Sequence, residues 1–224
     1  MSESTSALDR RSAIKMVAAA SLLAAGGACI FVTGSAWAEG EEGDAAEGAQ
    51  APDAGKGFGG RVGFLVKPRN CLNCQACVAA CRKFNKTAKD RPARRTITKY
   101  EKDGEALFVS TSCMHCEEPA CASVCPAGAI KKADDGVVYV DKERCIGCKY
   151  CYQACPFGVP HYNSQAMDKC DCCTLGGTRP GNAPRCAEAC KFGALHFGTV
   201  DELLAQCPDA KVVEASTKPS FYLA

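Results

Sequence analysis

The chain of 224 residues has a single tryptophan, three histidines and only 7% aromatic residues, so the large side chains that usually fill a domain interior are scarce. It also lacks an excess of one charge: 27 Lys and Arg stand against 25 Asp and Glu, a formal +2. A nucleic-acid-binding domain would need a clustered basic surface on a basic domain, and that class is set aside. No G-x-G-x-x-G fingerprint, phosphate-cradling loop or nucleophile triad occurs, so nothing points to an organic substrate or to an enzyme active site. No second apolar run of spanning length follows residue 38, and no C-terminal membrane anchor is expected.

What is present begins with Arg10-Arg11, followed by a long uncharged stretch from Met16 to Ala38 that ends in Ala36-Trp37-Ala38. Small residues there form a cleavage context, and the paired arginines resemble a twin-arginine export signal over residues 1–38. Ala13 stands where that signal usually has Phe, while Ile14 and Lys15 fit. An uncleaved span and lipid attachment at Cys29 are the alternatives. The expected location is the periplasm or the outer face of the cytoplasmic membrane. Residues 39–60 read as an acidic disordered linker, since positions 39–55 hold six acids, no base and no large apolar group. From Lys56 onward, 24 basic residues face 17 acidic ones, an excess of +7.

Nineteen cysteines dominate everything else. They form four runs: Cys71, Cys74, Cys77 and Cys81; Cys113, Cys116, Cys121 and Cys125; Cys145, Cys148, Cys151 and Cys155; Cys170, Cys173, Cys186 and Cys190. Cys29, Cys172 and Cys207 are left over. Three cysteines two residues apart let one tight loop wrap a metal cluster with backbone N–H groups turned to the sulfurs. The fourth lies about one helical turn on and points elsewhere; in bacterial two-cluster ferredoxins it ligates the other cluster. The runs must therefore work in pairs. Export with many cysteines would ordinarily suggest a disulfide-rich extracellular binding module. Four thiols crowded into eleven residues are poor geometry for nested bridges, and structural zinc favours two separated C-x2-C pairs. Iron–sulfur clusters fit best, because the twin-arginine route exports proteins already folded around a cofactor.

The runs CLNCQACVAAC, CMHCEEPACASVCP, CIGCKYCYQACPFGVP and KCDCCTLGGTRPGNAPRCAEAC resemble the four-cluster ferredoxin-type subunit of the dimethyl sulfoxide reductase family of molybdopterin oxidoreductases. Exported relatives serving tetrathionate, polysulfide or nitrite reduction are most similar in style, and the tail STKPSFYLA is similar too. The resemblance implies an α+β fold of tandem bacterial-ferredoxin-like units in a nested arrangement across residues 61–224. The inner unit would cover about 105–165 and the outer one 61–104 plus 166–200. It further implies four 4Fe-4S clusters, held by Cys71, Cys74, Cys77 and Cys190; by Cys81, Cys170, Cys173 and Cys186; by Cys113, Cys116, Cys121 and Cys155; and by Cys125, Cys145, Cys148 and Cys151. Arg82 and Lys191 stand where the family often has Pro after the fourth cysteine, which should raise the outer clusters' potentials. The function implied is electron relay in a hetero-oligomer, between a membrane quinol- or quinone-linked subunit and a molybdopterin-type catalytic subunit. Relay to a multihaem nitrite reductase and a stand-alone polyferredoxin are the alternatives.

Short elements are expected around these loops. Arg95–Tyr100 alternates and pairs with Leu107–Val109, and Ala129–Lys131 pairs with Val137–Val140 across an Asp-Asp-Gly turn. Gly193–Gly198 mirrors Ala127–Ile130 as an internal repeat, and Asp201–Ala205 starts a helix with Asp201 near its cap. His115, His161 and His196 are expected to pack or to hydrogen-bond sulfur. Tyr150, Tyr152, Phe157 and Tyr162 are expected to shield the third run, and Arg82, Lys83, Lys86, Lys89, Arg91, Arg94 and Arg95 to form a solvated basic loop or a docking face. Cys172 reads as a spectator thiol or as an exchange partner for Cys173.

Overall fold

The computed structural model describes residues 58–162, 166–175 and 182–224. The expected export signal, Cys29 and all but the end of the acidic linker lie outside the described residues.

The first strand is the apolar run β1 (Val62–Val66), buried along its whole length. A continuous apolar run is what a strand covered on both faces requires. It pairs antiparallel with β8 (Leu195–Thr199), Val62 opposite Thr199 and Val66 opposite Leu195, and parallel with β10 (Phe221–Leu223). With β9 (Lys211–Val212) the sheet order is β8-β1-β10-β9. Gly63 permits the parallel pairing: a Cβ there would stand 2.6 Å from the Ser220 carbonyl oxygen, closer than any side chain can approach.

Three two-stranded ribbons complete the strands. The ribbon of β2 (Thr96–Lys102) and β3 (Glu105–Thr111) closes on Asp103-Gly104, both with positive φ, the backbone that a two-residue hairpin loop favours. Strands β4 (Ile130–Lys132) and β5 (Val138–Val140) pair across the Asp-Asp-Gly turn as expected, with Gly136 at φ +86°. Strands β6 (His161–Tyr162) and β7 (Met167–Asp168) form the third ribbon. The repeat at Gly193–Gly198 is a strand like its counterpart, but it pairs with β1 rather than with a following hairpin arm.

Helices follow the cysteine loops: α1 (Ala76–Phe84), α2 (Ala120–Ser123), α3 (Tyr150–Ala154) and α4 (Arg185–Glu188). Pro126 and Pro156 follow Cys125 and Cys155, and α2 and α3 end before them at Ser123 and Ala154; α4 is as short without a Pro, ending at Glu188. Helix α1 runs on to nine residues, through Cys81 and Arg82, with Cys77 and Cys81 buried on one face. Helix α5 (Val200–Gln206) is capped by Thr199, whose hydroxyl accepts from the Glu202 N–H while the Glu202 carboxylate accepts from Thr199 N–H. Asp201 thus lies in the first turn rather than at the cap. The fold is α+β, and no helix among the described residues is long and apolar enough to cross a membrane.

The core mixes aliphatic residues with cysteine: Cys77, Cys81, Cys172 and Cys186 pack beside Val62, Phe64, Val66, Leu195 and Phe221. The tail straps this core to the second cysteine loop. Ser220 N–H donates to the Met114 carbonyl (2.8 Å), and Glu117 and Glu118 N–H donate to the Lys218 and Thr217 carbonyls (2.8 and 3.1 Å).

Candidate functional site

The four loops share one backbone device. In the first C-x2-C step of every run the residue before the second cysteine is left-handed: Asn73 (φ 54°), His115 (φ 44°), Gly147 (φ 68°) and Cys172 (φ 54°). Runs one and three add a second such residue, Gln75 (φ 61°) and Lys149 (φ 66°), just before α1 and α3. Alternation of right- and left-handed residues gathers N–H groups onto one concave side, where they face negative sulfur. Met167 N–H lies 3.4 Å from Cys145 Sγ, Ala129 N–H 3.3 Å from Cys125 Sγ and Cys172 N–H 3.4 Å from Cys170 Sγ.

The sulfurs gather across runs. Cys71, Cys74, Cys77 and Cys190 line one small cavity, together with Leu72 and Phe192. Cys125, Cys145, Cys148 and Cys151 line another, together with Ile146 and Tyr162. Burial pushes the Cys81 thiol up to about 12, with Cys170, Cys186 and Cys173 beside it adding to the rise and Arg95 opposing it. Burial likewise pushes Cys121 up to about 12, with Cys113, Cys155 and Cys116 beside it. Cys173 rises to about 11, again mainly by burial. All described cysteines are free thiols, without a disulfide among them. Buried thiols crowded by other thiols resist ionisation, and a bound cation such as iron is what would turn them into thiolates.

Two buried cations sharpen that reading. Arg95 is 1% exposed and Lys169 is 4% exposed, and neither makes an ion pair with a carboxylate among the described residues. Burial pulls both down, yet sulfur prevails and holds them above their ordinary values: Cys186, Cys170, Cys77 and Cys81 around Arg95, and Cys113, Cys170, Cys121 and Cys172 around Lys169. Lys169 Nζ lies 3.5 Å from Cys113 Sγ and donates to the Cys170 carbonyl at 2.9 Å and to the Val138 carbonyl. The Arg95 guanidinium stacks 4.5 Å from the Phe64 ring and donates to Ser110 and Ser112, while its Nε has no partner. Buried charges demand counter-charge, and the surrounding sulfurs are placed to supply it.

The basic stretch is therefore not one solvated loop. Arg95 is enclosed, and Arg94 is nearly so, bonded to both Asp168 oxygens at 2.7 and 2.9 Å and to Asp171 at 3.1 Å. The two consecutive arginines lie in the bend just before β2 and turn to different partners. Lys86, Arg91, Arg94, Lys142, His161 and Tyr162 border an open groove. The aromatics of the third run also separate. Tyr162 shields as expected, its hydroxyl 2.8 Å from Cys151 Sγ, and Phe157 packs against the main core. Tyr150 and Tyr152 are instead 61% and 49% exposed, because they lie on the outward side of α3, opposite buried Cys151. His196 donates its Nε2 proton to the Gly193 carbonyl (2.8 Å), whereas His115 meets sulfur, with Nε2 at 3.2 Å from Cys172 Sγ.

A family profile described as the 4Fe-4S dicluster domain matches residues 104–200, a span holding runs two, three and four. The B subunit of anaerobic dimethyl sulfoxide reductase from Escherichia coli (strain K12) is 39% identical over 175 residues, 72% of this chain and 84% of that protein. The chain belongs to this family of iron–sulfur electron-transfer subunits. Other members are similarly near. The thiosulfate reductase electron transfer subunit PhsB of Salmonella typhi is 42% identical over 146 residues, covering 62% of this chain and 76% of its own. Protein NrfC of Escherichia coli (strain K12) is 38% identical over 180 residues, 73% and 80%. Like its family, the chain is a 4Fe-4S protein that relays electrons, and it is not a catalytic subunit. The described residues fit the group: sulfur sets with inward N–H donors, and buried cations whose counter-charge is sulfur.

The arrangement was only partly legible in the runs themselves. Arg95 and Lys169 carry no sequence mark of burial beyond their places, beside a strand start and immediately before Cys170. The left-handed position announces itself by residue type only at Gly147 and Asn73.

Proposed function

We propose that the chain holds four 4Fe-4S clusters in a line and carries electrons along it between two partner subunits. The ligand sets would be Cys71, Cys74, Cys77 and Cys190; then Cys81, Cys170, Cys173 and Cys186; then Cys113, Cys116, Cys121 and Cys155; then Cys125, Cys145, Cys148 and Cys151. The observation that carries this reading is the meeting of the fourth cysteine of one run with the first three of another. It supports nested units, with the inner one over about 105–165 and the outer one over 61–104 plus 166–200.

The order follows from shared elements. Helix α1 carries Cys77 of the first set and Cys81 of the second, with Arg95 facing both. Cys113 of the third set lies near Cys170 of the second, with Lys169 between them. Helices α2 and α3 pack together and join the third and fourth sets, through Cys121 with Cys125 and Cys151 with Cys155. Exposure agrees with this order: Cys74 and Cys148 are exposed and belong to the two end sets, while the second set is buried throughout.

A bound 4Fe-4S cluster supplies a one-electron reversible couple. The residues do the rest. Arg95 and Lys169 hold positive charge between neighbouring sets and so favour a negative charge residing there. Tyr162, Ser110 and Asn85 offer donors to Cys151, Cys77 and Cys81 at 2.8, 3.4 and 3.6 Å. Leu72 and Ile146, 63% and 68% exposed, present apolar surface beside the end sets, the character of a site that another subunit covers. By family, one end would face a molybdopterin-type catalytic subunit and the other a membrane quinol- or quinone-linked subunit. Arg10-Arg11 and the segment to Ala38 support export by the twin-arginine route to the outer face of the cytoplasmic membrane.

Single cysteine variants test the sets. Cys190→Ser is expected to perturb the same EPR component as Cys74→Ser, and Cys125→Ser the same one as Cys148→Ser. If Cys125→Ser instead matches Cys116→Ser, the fourth cysteine stays with its own run and the nested arrangement is wrong.

A further inference from the structure

His115 and Cys172 hold the same place in runs two and four, each the left-handed residue before the second cysteine. Both are 1% exposed, and their side chains meet. With Cys170 they form a set in which Nε2 and the two sulfurs all lie within 4.8 Å of one another.

The backbone fixes the direction of donation. Val138 N–H donates to His115 Nδ1 at 3.0 Å, so Nδ1 is the acceptor and the ring proton is assigned to Nε2. Nε2–H then donates to Cys172 Sγ at 3.2 Å. The Cys172 S–H is left free to point onward to the Cys170 sulfur, which lies within 4.8 Å and also takes the Cys172 backbone N–H at 3.4 Å. Cys173 has other company: it lies near Cys170 and Cys186 and takes a backbone hydrogen bond from Arg185. A left-handed backbone suits Gly or Asn better than Cys, so this thiol sits where its own conformation is disfavoured.

We propose that Cys172 is a positioning residue rather than a ligand: His115 and Cys172 relay a hydrogen bond to the Cys170 sulfur and raise the midpoint potential of the cluster held by Cys81, Cys170, Cys173 and Cys186. This rests on the ligand sets proposed above. A donor to a ligating sulfur stabilises the more negative, reduced state of the cluster, and its loss destabilises that state. Because His115 belongs to run two, the relay begins in the loop of the third set and ends on a sulfur of the second.

The test is an EPR-monitored redox titration of the full chain, with iron counted for each protein. Cys172→Ala is expected to keep the parent iron content and to lower the midpoint potential of one cluster. Cys172→Ser, which keeps a donor, is expected to return that potential to the parent value or above it. His115→Gln, which keeps an N–H at similar reach, should hold it, and His115→Leu should lower the same cluster. An unchanged potential in Cys172→Ala overturns the proposal. Loss of one cluster's iron in that variant overturns it too, by making Cys172 a ligand. If the parent chain binds no iron, the ligand sets themselves fall, and that result is distinct from both.

Discussion

At Arg95 and Lys169 a full positive charge is held away from water beside sulfur, with no carboxylate ion pair to either among the described residues. Removing a buried charge's partner ordinarily costs about 3–5 kcal/mol, so these residues should be tolerated only while the sulfurs carry negative charge. The two face different sulfurs, which makes their effects separable. Arg95→Met should lower the potentials assigned to the first and second sets, and Lys169→Met those of the second and third. The measurement is the same redox titration applied to each variant. Equal movement of all four components would show that the cations act as general charge and not through the sulfurs they face. At this scale the sequence was a mixed guide. The sixteen cysteines stand out by spacing, whereas the run of seven basic residues conceals two enclosed arginines in the bend before β2, where no periodic pattern marks burial.

Among the elements, strand β1 and the tail do most to position the loops. Gly63 lets β1 lie beside Ser220, and Ser220 in turn holds the Met114 carbonyl in the second cysteine loop. Gly63→Ala should push β10 away and loosen that loop, seen as lower thermal stability and faster loss of iron to a chelator. Thr199→Ala removes the cap of α5 and should cost about 1 kcal/mol, without changing iron content, because α5 carries no cysteine of the four sets. The hairpins were legible from alternation and turn residues: β2 with β3, and β4 with β5, lie where Asp, Gly and β-branched residues put them. The partner of β8 was not. Its likeness to residues 127–130 suggests a local hairpin, but β1 lies more than a hundred residues earlier in the chain, and no local pattern encodes such a pairing. The length of α1 was not legible either: α4 also lacks a Pro after its fourth cysteine, yet spans only four residues.

For the whole molecule, scarce aromatic residues and abundant cysteine describe a core in which sulfur replaces ordinary packing. The pairing of runs followed from spacing logic and family likeness. The proposed line of four sets rests on exposure of Cys74 and Cys148, burial of the second set and the placement of Arg95 and Lys169 taken together. Such a line connects two surfaces, which is what a subunit lying between an electron donor and an electron acceptor needs. The central claim is that all four sets are filled together. The most direct test is iron and acid-labile sulfide per chain on anaerobically purified protein, with a low-temperature EPR spectrum after dithionite. Four filled sets require about sixteen of each and a spectrum broadened by interaction between neighbouring clusters. About eight of each, with two non-interacting signals, would contradict the claim and leave one ferredoxin-like unit empty.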